Sequence, residues 1–511
     1  MEKIELASEL EARLLAAVSK LGFKALYPEQ EHSVRANIAG NNTLTFLATG
    51  GGKTACYVIP SLVLGRVSIV VSPLIALQRD QVSALNRLGI PAALYNSSVS
   101  EEDKDDLATY VRLAKRQKSL YFVFVAPESL LTESFFNRFG DRCFDNMVID
   151  EIHCVSTWGN TFRPDYMRLA AVASRLGVSH SEGYTATVTP KILSDIYRYS
   201  PFKKGECEII KGDYIRDNLK LEVVYMDGFE GTSKERADKK KSRFLSLLKR
   251  STDGAAIVYC SSRAGCESLY NSEVVRGKLS RQGYSVYLFH AGIESADKDK
   301  VMEHFVRDRR PLVIATNAFG MGIDRADVRQ VIHYNNPRNL LGYAQEIGRA
   351  GRDGQVAYCT TLFDRSAVES TIGRNRASLP DVQGVEDVHR SLIRAYKKRS
   401  PVARKTFSTS KYLRQMEQIV EGNEEIKFKS AYLDRLRASV SLLKQAGLVI
   451  EDVKGQEIQF FKLSPGSAKH QKLIERTQMS LRFEEDQLRL VEDFFSSEPH
   501  TQERVWELMG G

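Results

Sequence analysis

The sequence predicts an α/β protein with two tandem lobes, each built on a doubly wound parallel sheet, followed by a mainly helical C-terminal region. Between residues 43 and 365, short β-rich runs alternate with helical stretches, and the runs fall into two series. Beyond Asp364 the pattern changes to helices and one hairpin. We therefore expect a first lobe over residues 1–211, a second lobe over 212–365 and a third region over 366–511.

Apolar runs rich in β-branched residues mark the strands of both lobes. In the first lobe these runs are 43–48, 67–71, 120–125 and 146–149. In the second lobe they are 255–259, 285–289, 312–316 and 328–334. Between the two series lies the charged stretch 229–243, which we interpret as a solvated connection near the start of the second lobe.

Composition and charge narrow the class of protein. The N-terminus lacks the basic start and apolar block of a signal peptide, and no apolar run is long enough to span a bilayer, so we expect a cytoplasmic protein. The seven cysteines include no C-x-x-C pair, which indicates neither a zinc ribbon nor a disulfide framework. A net charge of +9 permits a polyanionic partner.

A glycine-rich loop follows the first strand and opens a helix. Exposed backbone N–H groups and the helix dipole favour an anion there, so the loop is expected to bind the phosphates of ATP. Lys53 would reach the β- and γ-phosphates, and the Thr54 hydroxyl would ligate Mg²⁺. Leu47 stands where the usual pattern has its first glycine, and a plain glycine-rich turn is the alternative. The predicted ATP contacts of the loop are Thr49, Gly50, Gly51, Gly52, Lys53 and Thr54.

An acidic pair, Asp150 and Glu151, ends the apolar strand 146–149. The carboxyl ends of parallel strands meet at one edge of a sheet, so this pair should face the same crevice as the glycine-rich loop. Asp150 would hold Mg²⁺ and Glu151 would polarise the attacking water. Alone, such a pair is more often a helix cap, but together with Lys53 it indicates ATP hydrolysis.

The second lobe contains the run from Gln345 to Gly354, in which Arg349 and Arg352 lie three residues apart. That spacing predicts that the two arginines share one face of a helix. Such a pair can neutralise charge that develops on the γ-phosphate. The alternative is a solvated basic face. The predicted catalytic residues are Lys53, Asp150, Glu151, Gln345, Arg349 and Arg352.

These motifs, in this order, resemble those of superfamily 2 helicases, and the stretch from Asp150 to Tyr166 is similar to an aromatic-rich loop of the RecQ family. The resemblance implies two RecA-like lobes, ATP and Mg²⁺ as cofactors, and 3′-to-5′ unwinding of DNA. Residues 21–30 resemble the family's adenine-recognition motif. In that motif Phe23 and Tyr27 would sandwich the base, and Gln30 would hydrogen-bond its edge. The family usually has arginine in place of Tyr27.

The aromatic-rich loop is the predicted DNA contact of the first lobe. Trp158 and Phe162 are large rings beside charged and glycine residues, which suits stacking on unpaired bases, and Arg163 follows them. The alternative is that both rings are core aromatics. The expected partners are single-stranded DNA and forked or duplex DNA, and we expect a monomer.

The C-terminal region departs from the family, which usually continues into a zinc-binding module with four cysteines. Residues 360–511 contain no cysteine, so we expect no zinc site. Helices near 384–398, 410–420 and 430–446, followed by a hairpin over 448–463 that turns at Lys454-Gly455, predict a winged helix at about 384–465. A long helical tail follows.

In the third of these helices, Leu433, Leu436, Val440 and Leu443 recur at helical spacing, while four polar residues face elsewhere. Those polar residues are Arg435, Arg437, Ser441 and Lys444. From His389 to Lys444 there are 14 Lys and Arg against 5 Asp and Glu, so we expect Arg435, Arg437 and Lys444 to contact DNA. A helical protein-interaction domain is the alternative.

Three functions compete for this sequence. A DNA helicase accounts for every motif, including the aromatic-rich loop and the basic stretch. An RNA-remodelling ATPase would share the ATP site but gives the aromatic-rich loop no evident role. A non-catalytic scaffold gated by ATP would have damaged catalytic positions, whereas all of the predicted ones are present. The sequence therefore favours the helicase.

Overall fold

A computed structural model of the chain describes the greater part of the 511 residues. The described residues are 4–48, 50–73, 75–96, 98–140, 142–156, 164–186, 188–212, 215–227, 232–248, 253–320, 325–404, 407–423, 429–451 and 458–509. Across these ranges, the structure contains no helix that is both long enough and apolar enough to cross a membrane.

The chain divides into two compact units, and each unit contains segments from distant parts of the sequence. The first unit comprises Met1–Phe46, Lys53–Lys211 and Ile372–Glu485. The second unit comprises Leu47–Gly52, Gly212–Thr371 and Asp486–Gly511. The three-part division at residues 211 and 365 stays a prediction.

Strands and helices alternate along most of the chain. The strands are β1 (Thr43–Phe46), β2 (Val67–Val71), β3 (Ala92–Tyr95), β4 (Tyr121–Val125), β5 (Asn146–Ile149), β6 (His180–Thr185), β7 (Glu208–Lys211), β8 (Leu219–Tyr225), β9 (Ala255–Tyr259), β10 (Ser285–Phe289), β11 (Pro311–Ala315), β12 (Val328–His333), β13 (Ala357–Phe363), β14 (Val449–Glu451) and β15 (Ile458–Phe460). The α-helices are α1 (Ser8–Lys20), α2 (Pro28–Ile38), α3 (Lys53–Leu64), α4 (Ile75–Arg87), α5 (Glu101–Gln117), α6 (Pro127–Leu130), α7 (Glu133–Phe139), α8 (Leu169–Arg175), α9 (Pro190–Tyr199), α10 (Ser233–Leu247), α11 (Arg263–Tyr270), α12 (Glu273–Arg281), α13 (Ser295–Arg307), α14 (Leu340–Ile347), α15 (Ser366–Ser378), α16 (Val382–Lys397), α17 (Pro401–Arg404), α18 (Thr409–Glu421), α19 (Lys429–Gln445), α20 (Ala468–Ser496) and α21 (Gln502–Leu508). Two 3₁₀ helices, Ile152–Val155 and Pro164–Arg168, flank the part of the aromatic-rich loop that is not described.

The sheet of the first unit has the strand order β3-β4-β2-β5-β6-β1-β7, and every pairing in it is parallel. Strands β2 and β5 are buried along their whole length, as expected when helices cover both faces of a sheet. Strand β6 is also buried throughout, although it carries polar residues. Glu182 of this strand is fully buried and accepts hydrogen bonds from Asn146 Nδ2 at 2.6 Å and Tyr184 Oη at 2.6 Å.

The sheet of the second unit has the order β10-β11-β9-β12-β13-β8 and is also entirely parallel. These two sheets confirm the predicted fold of two parallel α/β lobes. The prediction that 229–243 is solvated holds for most of its described residues, but from Ser233 the stretch is not a mere connection and forms the first turns of helix α10. Its N-cap Thr232 is bonded to Glu235, and its last turns bury Phe244 and Leu245 in the core of this unit.

Helices α16, α18 and α19 and the antiparallel pair β14–β15 share one apolar core. The predicted core positions of α19, namely Leu433, Leu436, Val440 and Leu443, are all buried, which confirms the helical spacing. The sequence predicts Ser441 on the outer face, but the residue is buried. Its Oγ accepts a hydrogen bond from Gln445 Nε2 at 3.0 Å, which satisfies the hydroxyl within the helix. The turn at Lys454-Gly455 lies outside the described residues.

Candidate active site

The glycine-rich loop connects β1 to the first turn of α3, as the sequence predicted. Gly50 and Gly52 have positive φ angles of 83° and 72°, which favour glycine. A Cβ on Gly51 would lie 2.9 Å from the carbonyl oxygen of Ala48, so a side chain there would displace the main chain. The loop thus has the tight backbone that close approach of phosphates requires. Thr49 lies outside the described residues.

The first residue of α3 meets the acidic pair that follows β5. Lys53 Nζ lies 3.1 Å from Glu151 Oε1, and both side chains are mostly buried. Asp150 Oδ2 accepts a hydrogen bond from Ser72 Oγ at 3.4 Å, and Thr54 Oγ1 accepts one from Gln81 Nε2 at 3.5 Å. The first unit therefore places the Lys53 ammonium against the acidic pair at the end of β5, and the Thr54 hydroxyl follows Lys53 in the chain.

Glu151 has an unusual backbone conformation that aims its side chain. Its φ of 48° and ψ of 47° lie in the left-handed region, which costs a non-glycine residue about 1–3 kcal/mol. Its Oε2 lies 3.2 Å from His153 Nδ1, which is also 2.8 Å from Thr185 Oγ1. None of the sequence motifs described above gives His153 a role, yet it joins Glu151 to the end of β6. Its position two residues after the acidic pair was the available signal.

Burial and neighbouring charge shift the titration of this cluster. Burial raises the pKa of Asp150 to about 6, the charge of Glu151 adds to the rise, and Lys53 opposes it. Burial alone would also raise the pKa of Glu151, but Lys53 and His153 outweigh it and hold that pKa below its usual range. Burial disfavours the His153 cation, but Cys154 and Glu151 outweigh burial and raise the pKa of His153 to about 10. Lys53 and His153 therefore both favour the ionised form of Glu151.

The predicted adenine-binding residues lie at the start of α2 and before it. Phe23 and Tyr27 have exposed rings, with 38% and 71% of their surface accessible, so both are open to a stacking partner. Gln30 is buried, and its Oε1 accepts a hydrogen bond from the backbone N–H of Tyr27 at 3.0 Å. Its carboxamide thus caps the start of α2, and it orients the chain beside Tyr27.

Arg349 and Arg352 do not share a helix face, so that prediction is wrong. Helix α14 ends at Ile347, and Gly351 has a positive φ of 58°, which breaks the helical path between the two arginines. Arg349 is buried, and its Nη1 donates to the carbonyl oxygen of Gly320. A Cβ on Gly320 would lie 2.6 Å from Arg349 Nη2, so the glycine leaves room for the guanidinium.

Arg352 lies beside the glycine-rich loop within the second unit. Its Cδ is 3.1 Å from the position that a Cβ on Gly50 would occupy. Gln345 is half-buried on α14, four residues before Arg349. The arginine nearest to the phosphate loop is therefore Arg352, while Arg349 is held by the main chain of its own unit.

The part of the aromatic-rich loop that carries Trp158, Phe162 and Arg163 lies outside the described residues. Both ends of that part are anchored in the first unit. Ser156 Oγ donates to Asp195 Oδ2 at 2.9 Å, and the buried Tyr166 donates from Oη to the carbonyl oxygen of Asp150 at 3.1 Å. The described residue before this part is thus bonded to α9, and the segment after it is bonded to the main chain of the acidic pair.

The basic residues of α19 differ in their surroundings. Arg435 is exposed and forms no ion pair among the described residues. Arg437 is exposed but paired with Glu417 and, at 3.2 Å, with Asp434. Lys444 is half-buried near the end of the helix. The expected basic face therefore has its least compensated charge at Arg435.

A model of DEAD/DEAH box helicases matches residues 27–196 of this chain. A model of the helicase conserved C-terminal domain matches residues 239–354. The two matches cover the glycine-rich loop, the acidic pair and both arginines. They end well before the C-terminal helices.

Similar proteins include DNA helicases from animals and bacteria. The chain is 33% identical to ATP-dependent DNA helicase Q5 of Mus musculus over 398 residues, which are 76% of this chain and 40% of the relative. It is 34% identical to ATP-dependent DNA helicase RecQ of Haemophilus influenzae over 348 residues, which are 68% of this chain and 52% of the relative. The chain therefore spans about half the length, or less, of these relatives.

A solved helicase has the same fold at lower identity. The helicase Lhr of Mycobacterium smegmatis, bound to single-stranded DNA and AMP-PNP, superposes with a TM-score of 0.54 at 18% identity. The superposition covers 91% of this chain and 61% of Lhr. At this identity the likeness shows the fold alone, in agreement with the two parallel sheets.

Proposed function

Because the chain belongs to the RecQ family of helicases, we propose that it is an ATP-dependent DNA helicase that moves along single-stranded DNA and unwinds duplexes. The single observation that supports the ATPase part most directly is the contact of 3.1 Å between Lys53 and Glu151. It joins the phosphate-binding loop to the acidic pair. The 3′-to-5′ direction and a role in DNA repair or recombination are typical of the family and form part of the proposal.

The donor groups fit ATP with Mg²⁺. Thr54 offers a hydroxyl and Asp150 a buried carboxylate, which are oxygen ligands that Mg²⁺ prefers. A Mg²⁺ ion held by these two residues would neutralise phosphate charge and lower the pKa of Asp150 again. Lys53 would turn from Glu151 to the phosphates. The main chain around Gly51 would line the same anion site.

Hydrolysis would use the groups that surround Glu151. Glu151 would accept a proton from the attacking water, since its low pKa keeps it ionised until Lys53 turns to the phosphates. His153 and Thr185 hold the Glu151 side chain in place from the other side. Arg352 would stabilise the charge that develops on the γ-phosphate, and Arg349 would hold the loop that presents it.

DNA would be sensed by the aromatic-rich loop. We propose that Trp158, Phe162 and Arg163 contact unpaired bases and backbone, where each stacked base contributes about 1–3 kcal/mol. The anchor of Tyr166 on the carbonyl oxygen of Asp150 supports coupling, because a shift of the loop would reach the acidic pair. Arg435, Arg437 and Lys444 would contact duplex phosphates from a winged helix at about 384–465.

The activity can be tested by measuring ATP hydrolysis with single-stranded DNA, duplex DNA and RNA in parallel, and by following the unwinding of a forked duplex. Single-stranded DNA should stimulate hydrolysis, and the fork should be unwound only with ATP. Glu151→Gln is the matched control, since it should bind ATP without unwinding. Stimulation by RNA but not by DNA would contradict the proposal and favour an RNA-remodelling ATPase.

A further inference from the structure

The end of the chain is a packed part of the second unit. Phe494 and Phe495 at the end of α20 are fully buried. The Phe495 ring stacks on Phe363 of β13 with centroids 5.3 Å apart and meets Tyr343 of α14 edge-on at 5.2 Å. His500 Nε2 lies 3.1 Å from Tyr225 Oη. These contacts hold the segment that leads into α21 against α14 and against strands β8 and β13.

Gln502, the first residue of α21, recognises the main chain of Arg216. Its Oε1 accepts a hydrogen bond from the N–H of Arg216 at 3.3 Å, and its Nε2 donates to the carbonyl oxygen of Arg216 at 2.9 Å. Gln502 is itself buried, so loss of its side chain would leave two main-chain groups without these partners. The carboxamide thereby fixes the position of Arg216 on both sides.

Arg216 in turn holds the loop between the two arginines. Its Nη1 donates to the carbonyl oxygen of Ala350 at 3.0 Å. Two residues later, Asn218 Nδ2 donates to the carbonyl oxygen of Gly351 at 2.7 Å. A Cβ on Gly351 would lie only 2.5 Å from that nitrogen, so the loop is closely fitted to this segment. Burial lowers the pKa of Arg216, with Cys359 opposing it.

We propose that Gln502 is a positioning residue for Arg352. Gln502 would act by holding Arg216, whose side chain holds the main chain of Ala350, two residues before Arg352. This inference rests on the proposed ATPase function, in which Arg352 contacts the phosphates. The last helix would then belong to the ATP-hydrolysing machinery, although it lies beyond both matched helicase regions. A side chain that places a catalytic arginine affects the transition state more than ATP binding in the ground state.

The test uses the full chain and compares Gln502→Ala with Glu503→Ala. Glu503 is the matched control, because it is exposed on the same helix and its side chain forms no hydrogen bond or ion pair with the described residues. Gln502→Ala should lower the kcat of DNA-stimulated ATP hydrolysis about tenfold and leave the KM for ATP within about twofold, since small misplacement of a catalytic group is costly. Glu503→Ala should leave both constants unchanged.

The route through Arg352 is tested by a double-mutant cycle. In an Arg352→Ala background, Gln502→Ala should change kcat by less than about twofold, because the group that it positions is already gone. If Gln502→Ala lowers kcat by the same factor with and without Arg352, the inference is overturned. It is also overturned if Gln502→Ala alone leaves kcat unchanged. If Gln502→Ala does not fold, Arg216→Lys is measured in its place, alone and in the Arg352→Ala background. Lysine keeps the positive charge but lacks the guanidinium that donates to the carbonyl oxygen of Ala350.

Failure of the inference and failure of the proposed function give different results. A chain that hydrolyses no ATP in the presence of any nucleic acid would overturn the proposed function, and this inference with it. An active chain in which Arg352→Ala is impaired but Gln502→Ala is normal would overturn the inference alone.

Discussion

Glu151→Gln should separate ATP binding from ATP hydrolysis. The glutamine has the shape of the glutamate, so its oxygen can still meet Lys53 Nζ, which lies 3.1 Å from Glu151 Oε1. The carboxamide cannot accept a proton from water, however, and loss of a general base typically lowers the rate about 10²- to 10⁴-fold. We expect kcat to fall by that factor while ATP still binds.

The ion pair also sets the expected change in ATP affinity. The Lys53 and Glu151 side chains are 14% and 23% exposed, so solvent screens their attraction only partly. Glu151 competes with the phosphates of ATP for Lys53, and hydrogen bonds to charged groups contribute about 1.5–3 kcal/mol. Glu151→Gln would weaken the contact with Lys53 and so reduce this competition. The affinity for ATP should therefore be unchanged or higher, by up to about tenfold. Lys53→Ala should weaken binding at least about tenfold, because it removes the charged contact itself.

The assay pairs equilibrium binding of a fluorescent, non-hydrolysable ATP analogue with steady-state hydrolysis in saturating single-stranded DNA. Melting temperatures of both variants provide the control for folding. An equal loss of analogue affinity in Lys53→Ala and Glu151→Gln would refute the division of roles between the two residues.

Three further changes test other parts of the molecule. Gly320→Ala should displace the Arg349 guanidinium, because Arg349 Nη2 lies 2.6 Å from the position of the new Cβ. We expect kcat to fall about tenfold and the free energy of unfolding to fall by less than about 2 kcal/mol. A normal kcat would show that Arg349 has no role in turnover. Trp158→Ala should retain much of the DNA affinity but lose DNA stimulation of hydrolysis, and normal stimulation with a lower melting temperature would instead make Trp158 a core residue. Arg435→Ala should reduce the slope of log affinity for duplex DNA against log salt by about 0.9, and Arg437→Ala by less, because Arg437 is already paired with Glu417. Equal slopes for the unmodified protein and Arg435→Ala would show that Arg435 does not contact phosphates.

The parallel sheets were predictable where a strand was a short apolar run. Strands β2, β5 and β9 are such runs, and their predicted limits agree with the structure. Strand β6 gave no such signal, because polar side chains in it are buried and hydrogen-bonded to one another, as Glu182 and Tyr184 show. Helix α10 was misjudged for the opposite reason. Its first turns are charged and solvated, and its apolar contacts come only near Phe244.

The site was predictable as chemistry and only partly as geometry. Lys53 and Glu151 belong to sequence patterns whose function depends on the order of strand, loop and helix, and the structure brings the two together. The partner of Glu151 on its other side, His153, follows the acidic pair by two residues, but spacing does not show its contact with Thr185, which joins the 3₁₀ helix after β5 to the distant end of β6. Arg349 and Arg352 were assigned to one helix because spacing alone cannot show where a helix ends.

The sequence by itself determined the fold class, the residues that could hold phosphate and Mg²⁺, and the resemblance to a helicase family, because each depends on local pattern and on the types of side chain. Tertiary structure alone decided which side chains meet across long separations. The two hydrogen bonds between Gln502 and Arg216 are the clearest case, since 286 residues separate the partners and neither lies in a recognisable motif. Such contacts depend on how distant elements pack together, and no periodicity or spacing along the chain encodes that packing directly.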